Sequence, residues 1–478
     1  MKALCCTLLF ISVSFANLQS QEKEMGLGFY QPLEGPCLSQ EERQKIQAEI
    51  DKNVQILLSK TGIQKSSSRR VELNWPLQAS DSFKDYSYYG ISNFVDQNDA
   101  FPGQLLDYNC GQRTYDRDNG YNHAGIDYFL WPFTWHKMDS SDVEIVAAAP
   151  GVIINKQGSN RDRNCSFTQT DWNAVYIRHE DGSVAWYGHM KRGSTTTKAF
   201  FDSVSAGEYL GVVGSSGNST GPHLHFELHD DSGNLIDPYA GNCNNLNRES
   251  WWKEQKPYYD SAINALKTHW APPLFQNCDP ATINEKNVFQ PGEEIYFVAY
   301  YRDQLAGQIS DFEIKRPDGS TWLQWQVNSS AVHYSASYWW FQRSLPTNAP
   351  EGTWTFEVEF EGETYMQNFT VSGSPVSVEE PEVEIPRQFT FHQNFPNPFN
   401  PLTSIGFDLA YTTKVDLIIY NIQGQVVRTL VSQPLTAGRH SFTWDSHDEQ
   451  GNIVPSGLYI SRLRAGNFTG QKKMLLIK

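Results

Sequence analysis

The strongest constraint on the fold is a series of short β-branched and apolar runs between residues 100 and 240. Glycine-containing turns separate these runs. Runs of this length, bounded by turn residues, are typical of strands rather than of long helices. We therefore predict an antiparallel β-sheet with long loops. Its predicted strands are 143–147, 151–155, 174–178, 184–187, 209–213 and 223–228.

Two segments are compatible with helices. Residues 39–60 predict an amphipathic helix, because Ser39 and Glu42 form a capping box ahead of a periodic apolar stripe. The stripe consists of Ile46, Ile50, Val54, Leu57 and Leu58. Residues 250–266 have a helix-compatible sequence as well. The sequence leaves open whether the N-terminal part packs on the following domain or is a pro-region.

A chain of 478 residues is too long for one ordinary core, so we expect several domains. The predicted fold class is mainly β, with an N-terminal helix and an antiparallel sheet followed by two small Ig-like β-sandwiches. The predicted divisions are a signal peptide at 1–16, an N-terminal region at 17–99, a β domain at 100–280 with its core at 120–240, a β-sandwich at 281–372, a linker at 373–386 and a second small β domain at 387–478.

The N-terminus carries the pattern of an export signal. Lys2 precedes an apolar run over residues 3–16, which ends in a small-x-small pattern at Ser14 and Ala16. No later apolar run is long enough to span a bilayer, so we predict no transmembrane segment. We expect the mature protein to leave the cytoplasm.

Removing the signal peptide would leave five cysteines, and none of them forms a C-x-x-C pair. In an exported chain such cysteines are disulfide candidates before they are metal ligands. We expect Cys110 to pair with Cys165 and Cys243 with Cys278. Cys37 would then stay outside the disulfides.

The charge of the chain bears on its partners. The sequence has 38 Lys and Arg against 54 Asp and Glu, a net charge of −16. An acidic surface repels phosphate groups, so we predict that neither nucleic acid nor an anionic membrane is the main partner.

The predicted strand at 223–228 alternates histidine and apolar residues. Alternate residues of a strand share a face, so Leu224, Phe226 and Leu228 would point into the core. His223 and His225 would point the other way, together with Glu227. Neighbours on one face lie roughly 6–7 Å apart, so one imidazole can bind an ion while the other faces water or substrate.

A second motif, His-Ala-Gly-Ile-Asp, supplies further polar groups. His123 and Asp127 can converge on one point, and Gly125 between them leaves room. Two imidazoles and one carboxylate suit zinc, and three protein ligands leave a position open for water. His189 ends another predicted strand and could reach the same cleft.

The runs NHAGID, VAAAPGVI, NAVYIRHEDGSVAWYGHM and GVVGSSGNSTGPHLHFEL resemble the lysostaphin-type (M23) zinc metallopeptidase family over about residues 120–240. The resemblance implies one zinc ion per chain on His123, Asp127 and His225. It also implies that His189 and His223 are the catalytic histidines. All five positions are filled, which is the pattern of an active member.

The resemblance also implies a mechanism. Zinc would polarise the scissile carbonyl and lower the pKa of its water toward about 7. One of His189 and His223 would take the proton, and the other would donate to the oxyanion; the sequence does not say which. A tyrosine also assists in this family, and Tyr115 and Tyr121 are both candidates.

The C-terminal sequence resembles a different family. The runs FHQNFPNPFNPLTSIGFDL and VDLIIYNIQGQVVRTLV are similar to the C-terminal sorting domain that type IX secretion systems recognise. This resemblance, over residues 388–478, implies export to the exterior or cell surface of a Gram-negative bacterium, with the secretion machinery as a partner. The alternative is an Ig-like spacer.

These features predict a secreted zinc endopeptidase that hydrolyses peptidoglycan cross-links or Gly-rich peptides. A catalytically silent, zinc-containing cell-wall-binding protein is one alternative. A serine hydrolase is another, because Ser219 lies in a G-x-S-x-G sequence, although Pro222 and a strand follow it where a nucleophile elbow needs a helix. In the middle domain Trp322, Trp325, Trp339 and Trp340 suit either a glycan platform or a sandwich core, and the core is favoured.

Overall fold

The computed structural model describes residues 24–29, 37–61, 70–167, 170–275, 278, 283–373, 389–394, 397, 399, 403–435, 438–449 and 452–476. The predicted signal peptide at 1–16 and residues 374–386 of the predicted linker lie outside these residues. No helix among the described residues is both long and apolar enough to cross a membrane. The chain divides into two compact units, Met1–Pro375 and Val376–Lys478.

The first unit begins with strand β1, Glu24–Phe29, and helix α1, Gln40–Thr61. Ser39 Oγ accepts the Glu42 N–H at 3.1 Å, and the Glu42 carboxylate accepts the Ser39 N–H at 2.8 Å. These bonds satisfy N–H groups that have no partner within the first helical turn. The predicted helix at 39–60 and its capping box are confirmed.

The elements after α1 form the central β domain. They are β2 Leu77–Ala79, β3 Tyr89–Asn93, β4 Ile126–Leu130, α2 Thr134–Asp139, β5 Val143–Val146, β6 Gly151–Gln157, β7 Ala174–Arg178, β8 Val184–Gly188, β9 Ser203–Val204, β10 Tyr209–Val212, β11 His223–His229 and β12 Leu235–Ile236. All six predicted strands are present. The larger sheet has the order β3-β4-β11-β8-β7-β6-β9, with β12 on β11, and the smaller has the order β10-β5-β2. Every pairing in them is antiparallel.

The two faces of the larger sheet have different neighbours. Leu224, Phe226 and Leu228 of β11 are buried in the main core on one face, as their alternation predicts. On the other face Tyr176 and Trp186 pack with the apolar side of α1. The helix therefore covers the face to which the remaining residues of β11 point.

The other strands of the first unit form a β-sandwich. They are β13 Ala262–His269, β14 Val288–Phe289, β15 Glu294–Leu305, β16 Ile309–Lys315, β17 Thr321–Asn328, β18 His333–Ser344, β19 Gly352–Phe360 and β20 Glu363–Val371. One sheet has the order β1-β18-β15-β13 and the other β14-β20-β19-β16-β17. Phe297 of the first and Phe356 of the second meet in the shared core with ring centroids 5.2 Å apart.

The predicted helix-compatible segment at 250–266 is wrong. Strand β13 begins within it and pairs antiparallel with β15. Pro257 lies in the middle of the segment and has no N–H to donate, so a continuous helix is disfavoured. Ile263 and Leu266 are buried in the sandwich core, which holds this segment in the sheet.

The tryptophans of the sandwich belong to its packing. Trp322 and Trp339 are buried in the shared core, and Trp325 packs against it half-buried. Trp340 packs against a neighbouring cluster. The predicted sandwich-core role is confirmed for Trp322, Trp325 and Trp339.

The second unit is a small β domain of two sheets. Its strands are β21 Thr390–Phe391, β22 Thr403–Leu409, β23 Thr413–Asn421, β24 Val426–Leu435, β25 Gly438–Trp444, β26 Gly457–Ala465 and β27 Phe468–Leu476. The orders are β21-β22-β25 and β24-β23-β26-β27. Leu417 of β23 and Trp444 of β25 are buried in one core. The mainly-β fold class is confirmed.

The predicted disulfide pairing is wrong. The disulfides join Cys110 to Cys243 and Cys165 to Cys278, with Cα atoms 5.1 and 5.8 Å apart. Each disulfide joins two loops that are far apart in sequence but are brought together by the folded sheet. At the first disulfide, the Cys243 N–H donates to the Tyr108 carbonyl at 3.0 Å. Cys37 is buried and outside both disulfides.

Candidate metal centre

The pairing of two neighbouring strands builds the centre. Strands β4 and β11 are antiparallel, and Asp127 lies directly opposite His225. Both side chains point to the sheet face that α1 covers, since Leu224 and Phe226 occupy the core face. His225 Nδ1 lies 2.7 Å from Asp127 Oδ1.

His123 reaches the same point from the loop before β4. Its Nε2 lies 3.1 Å from Asp127 Oδ2. Gly125 makes this approach possible, because a Cβ at that position would lie 2.6 Å from the His225 ring. The predicted convergence of these residues is therefore present, and the absence of a side chain at Gly125 is a steric requirement.

Hydrogen bonds outside the cluster orient the two imidazoles. The Phe94 carbonyl accepts from His123 Nδ1–H at 2.8 Å, and Glu227 Oε1 accepts from His225 Nε2–H at 2.8 Å. Both partners can only accept, so the ring nitrogen that faces each of them carries the proton. In the neutral ring the other nitrogen, which faces Asp127, therefore carries no proton. Lone pairs on His123 Nε2 and His225 Nδ1, beside a carboxylate, suit a zinc ion.

The positions of four side chains suit a metal ion. His123, Asp127, His225 and Cys37 each offer a ligand atom, and all four atoms lie within 4.8 Å of one another. Buried His123 Nε2 makes no hydrogen bond within the described part of the chain. A buried polar atom without a hydrogen bond is rare unless something else binds it.

The two remaining histidines lie beside this group. His189 follows the end of β8, and its ring centroid is 4.3 Å from that of His223. The Ser216 carbonyl accepts from His189 Nδ1–H at 2.6 Å, and the Gly221 carbonyl accepts from His223 Nδ1–H at 2.8 Å. A ligand atom from each histidine and from Cys37 again lie within 4.8 Å of one another.

The charges in the cluster support cation binding. Burial opposes ionisation of Asp127, but His123 and His225 in their protonated state hold the pKa of its carboxyl well below the ordinary range. Burial also opposes ionisation of Glu227, but Arg43 above all holds its pKa well below the ordinary range. Two carboxylates are therefore ionised at the centre.

Two groups of the N-terminal segment reach the centre, and neither was predicted as a site residue. Cys37 Sγ lies in the cluster and 3.6 Å from the Tyr115 hydroxyl. Arg43 of α1 binds both oxygens of Glu227, at 2.6 and 2.7 Å. The sequence contained weak signals for both: an odd cysteine count, and a glutamate on the strand face of His225.

The cluster is shielded from solvent. His123, His189 and His225 are 0% exposed, and Cys37 is 3% exposed. The side chain of His223 keeps 15% of its surface accessible. The side chains of the centre are therefore close together but almost inaccessible to solvent.

The two tyrosine candidates differ in position. Tyr115 is buried, and its ring centroid lies 4.6 Å from that of His123. Tyr121 stacks on Tyr115, with the two ring centroids 5.8 Å apart. Of the two candidates, Tyr115 is therefore the one in ring contact with His123.

Ser219 has the environment of a turn residue. Its hydroxyl is buried and donates to the Gly221 carbonyl at 3.0 Å. Strand β11 follows it, so the strand–turn–helix context of a nucleophile elbow is absent at this point of the described chain.

Family models match two parts of the chain. Residues 122–238 match the model of peptidase family M23, and residues 402–467 match the model of the FlgD Ig-like domain. The chain therefore contains an M23 peptidase domain, which holds all five predicted site residues, and an Ig-like domain in its second unit.

Relatives cover parts of the chain only. DD-carboxypeptidase/endopeptidase Mpg of Neisseria meningitidis serogroup B is 47% identical over 105 residues, 22% of this chain and 19% of that protein. Basal-body rod modification protein FlgD of Salmonella typhimurium is 44% identical over 66 residues, 14% of this chain and 28% of that protein. The chain thus spans less than a third of either relative.

Among solved structures, the catalytic domain of the prophage-encoded M23 protein EnpA from Enterococcus faecalis is similar to this chain. It is 28% identical, and the match covers 31% of this chain and 88% of that domain. The TM-score is 0.21.

Proposed function

We propose that this protein is a secreted zinc metalloendopeptidase that hydrolyses peptide bonds of peptidoglycan cross-links or of Gly-rich peptides. The convergence of His123, Asp127 and His225 at one buried point of an M23 domain carries the proposal. The name of the Neisseria relative, DD-carboxypeptidase/endopeptidase, supports the endopeptidase activity.

The three ligands would hold one zinc ion per chain through His123 Nε2, an Asp127 oxygen and His225 Nδ1. When bound, zinc supplies Lewis-acid activation of the scissile carbonyl and of the attacking water. Glu227 supports this set, since its bond to His225 Nε2–H keeps the lone pair on Nδ1.

His189 and His223 would move protons during hydrolysis. Each donates its Nδ1–H to a backbone carbonyl, which can only accept, so each Nε2 is the basic nitrogen of the neutral ring. Nε2 of either histidine can take a proton from water and later return it to the leaving amine. The protonated ring can also donate to the developing oxyanion.

The C-terminal domain would direct export. The sequence runs of residues 388–478 support recognition by a type IX secretion system, and therefore an extracellular or cell-surface location in a Gram-negative bacterium. The FlgD Ig-like match describes an Ig-like domain in the same segment, which is compatible with a sorting role.

Hydrolysis assays with metal analysis test the proposed activity. The full chain, the Cys37→Ser variant and the Cys37→Ser, His225→Ala double variant are loaded with zinc and incubated with peptidoglycan and with oligoglycine. Cys37→Ser is included because the thiol lies inside the cluster. We expect about one zinc per chain and new peptide ends by mass spectrometry for Cys37→Ser, and neither for the double variant.

Other outcomes identify the alternatives. Zinc binding by Cys37→Ser without hydrolysis of either substrate would favour a silent cell-wall-binding protein. Hydrolysis that survives chelation and the His225→Ala change would exclude a zinc mechanism and favour Ser219.

A further inference from the structure

The Cys37 sulfur lies among the three side chains that are proposed to hold the zinc ion. It is within 4.8 Å of ligand atoms of His123, Asp127 and His225. Those three residues are the ligands in the proposed function, and His123 Nε2 is a buried atom without a hydrogen bond among the described residues. Three protein ligands leave one position open, and thiolate sulfur is a preferred zinc ligand.

A second contact holds the same segment against the centre. Arg43 is six residues after Cys37 and forms a bidentate ion pair with Glu227. The Glu227 side chain is 0% exposed and also bonds His225. A bidentate pair between an arginine and a buried carboxylate fixes both position and orientation.

Helix α1 also packs on the sheet face that carries the centre. Its residues Ile50 and Leu57 are buried against Ile154, Tyr176 and Trp186 of the larger sheet. This is the sheet face on which the metal centre lies. With the three inner histidines fully buried, a peptide cannot bring its scissile bond to them while the helix is in place.

We infer that Cys37 is the fourth ligand of the metal and that residues 37–61, the N-terminal strap, hold the peptidase in a latent state. This inference rests on the proposed zinc site. Hydrolysis requires the sulfur to leave the fourth position: the thiolate takes up one proton, and a water molecule occupies the vacated site. The strap must move away at the same time, because it covers the approach.

Cobalt substitution tests the sulfur ligand directly. The full chain, Cys37→Ser and the control Ala48→Ser are loaded with Co²⁺, and absorption spectra and metal content are measured. Ala48 is an exposed residue of the same strap. We expect about one cobalt per chain in all three, and a near-ultraviolet sulfur-to-cobalt charge-transfer band in the full chain and Ala48→Ser only.

The spectra separate failure of this inference from failure of the proposed function. One cobalt per full chain without the charge-transfer band overturns the inference and leaves the three-ligand site intact. Absence of cobalt from the full chain and from Cys37→Ser overturns the proposed metal site, and the inference with it. Retention of the band in Cys37→Ser also overturns the inference, since the four other cysteines of residues 37–478 are in disulfides.

Rates of peptide hydrolysis test whether the strap keeps the peptidase latent. Only molecules with the strap displaced can hydrolyse a peptide. If less than about a tenth of the full chain is in that open state, opening the rest by Cys37→Ser should raise the hydrolysis rate about tenfold or more. Arg43→Gln should raise it as well, because it removes the second attachment of the strap. Lys45→Gln is the control, since Lys45 is exposed and does not touch Glu227. Equal activity of the full chain and Cys37→Ser, with one metal in each, would overturn the latency.

Discussion

His223 and His225 lie on the same face of β11 but meet different groups. His225 is held between Asp127 at Nδ1 and Glu227 at Nε2. His223 instead has its ring beside that of His189. Two residues of strand rise separate the histidines by roughly 6–7 Å, which is too far for both to take the same role.

This separation predicts different mutant phenotypes. In the Cys37→Ser background, His225→Ala should lose both zinc and hydrolysis, because two ligands hold the ion poorly. His223→Ala should keep nearly one zinc per chain and lose turnover by ~10²–10⁴-fold, as expected for a missing acid or base. His189→Ala should resemble His223→Ala.

Metal analysis, circular dichroism and peptide hydrolysis rates of the purified variants decide this prediction. Circular dichroism checks that each variant keeps its fold. If His223→Ala lost zinc and His225→Ala kept it, the assignment would be reversed. If both variants stayed active, the catalytic centre would lie elsewhere.

At the scale of elements, the disulfides join loops to distant parts of the fold. Cys110 lies in the loop between β3 and β4, and Cys243 lies after β12. Cys165 lies between β6 and β7, and Cys278 lies between β13 and β14. Each link therefore closes a long segment that contains parts of the sheet.

Closing such long loops restricts the unfolded chain, so the links should stabilise the fold. Peptide mapping without reduction should recover Cys110 linked to Cys243 and Cys165 linked to Cys278. The double change Cys110→Ser, Cys243→Ser should lower the free energy of unfolding by about 2–5 kcal/mol in a denaturant titration. A fragment linking Cys110 to Cys165 would contradict the pairing.

At the scale of the molecule, the chain consists of two units, each with its own core. Among the described residues, the core of the second unit consists of residues between Phe391 and Leu476. A unit with a separate core can be removed without opening the core of its neighbour.

Deletion of residues 387–478 should therefore leave the peptidase domain folded and able to bind zinc, while the protein stays inside the producing cell. Fractionation of the native host, with zinc content and hydrolysis measured on the retained protein, checks both parts. Normal export of the truncated protein would refute the sorting role. A retained protein without zinc or fold would refute the independence of the two units.

Much of the architecture was predictable because it depends on local patterns. Alternation along 223–228 predicted a strand with Leu224 and Phe226 in the core and histidines on the other face. The capping box at Ser39 predicted the start of α1. Such features depend on residues close in sequence, where strand and helix periods determine which side chains share a face.

Tertiary structure alone decided the contacts between distant segments. The disulfide partners, the strand at Ala262–His269 and the position of Cys37 depend on which loops and strands the folded sheet brings together. No short-range period encodes a distance between Cys37 and His225, which are far apart along the chain. The sequence therefore predicted that His123, Asp127 and His225 converge with two further histidines beside them, whereas packing of α1 on the sheet brought Cys37 to the same point.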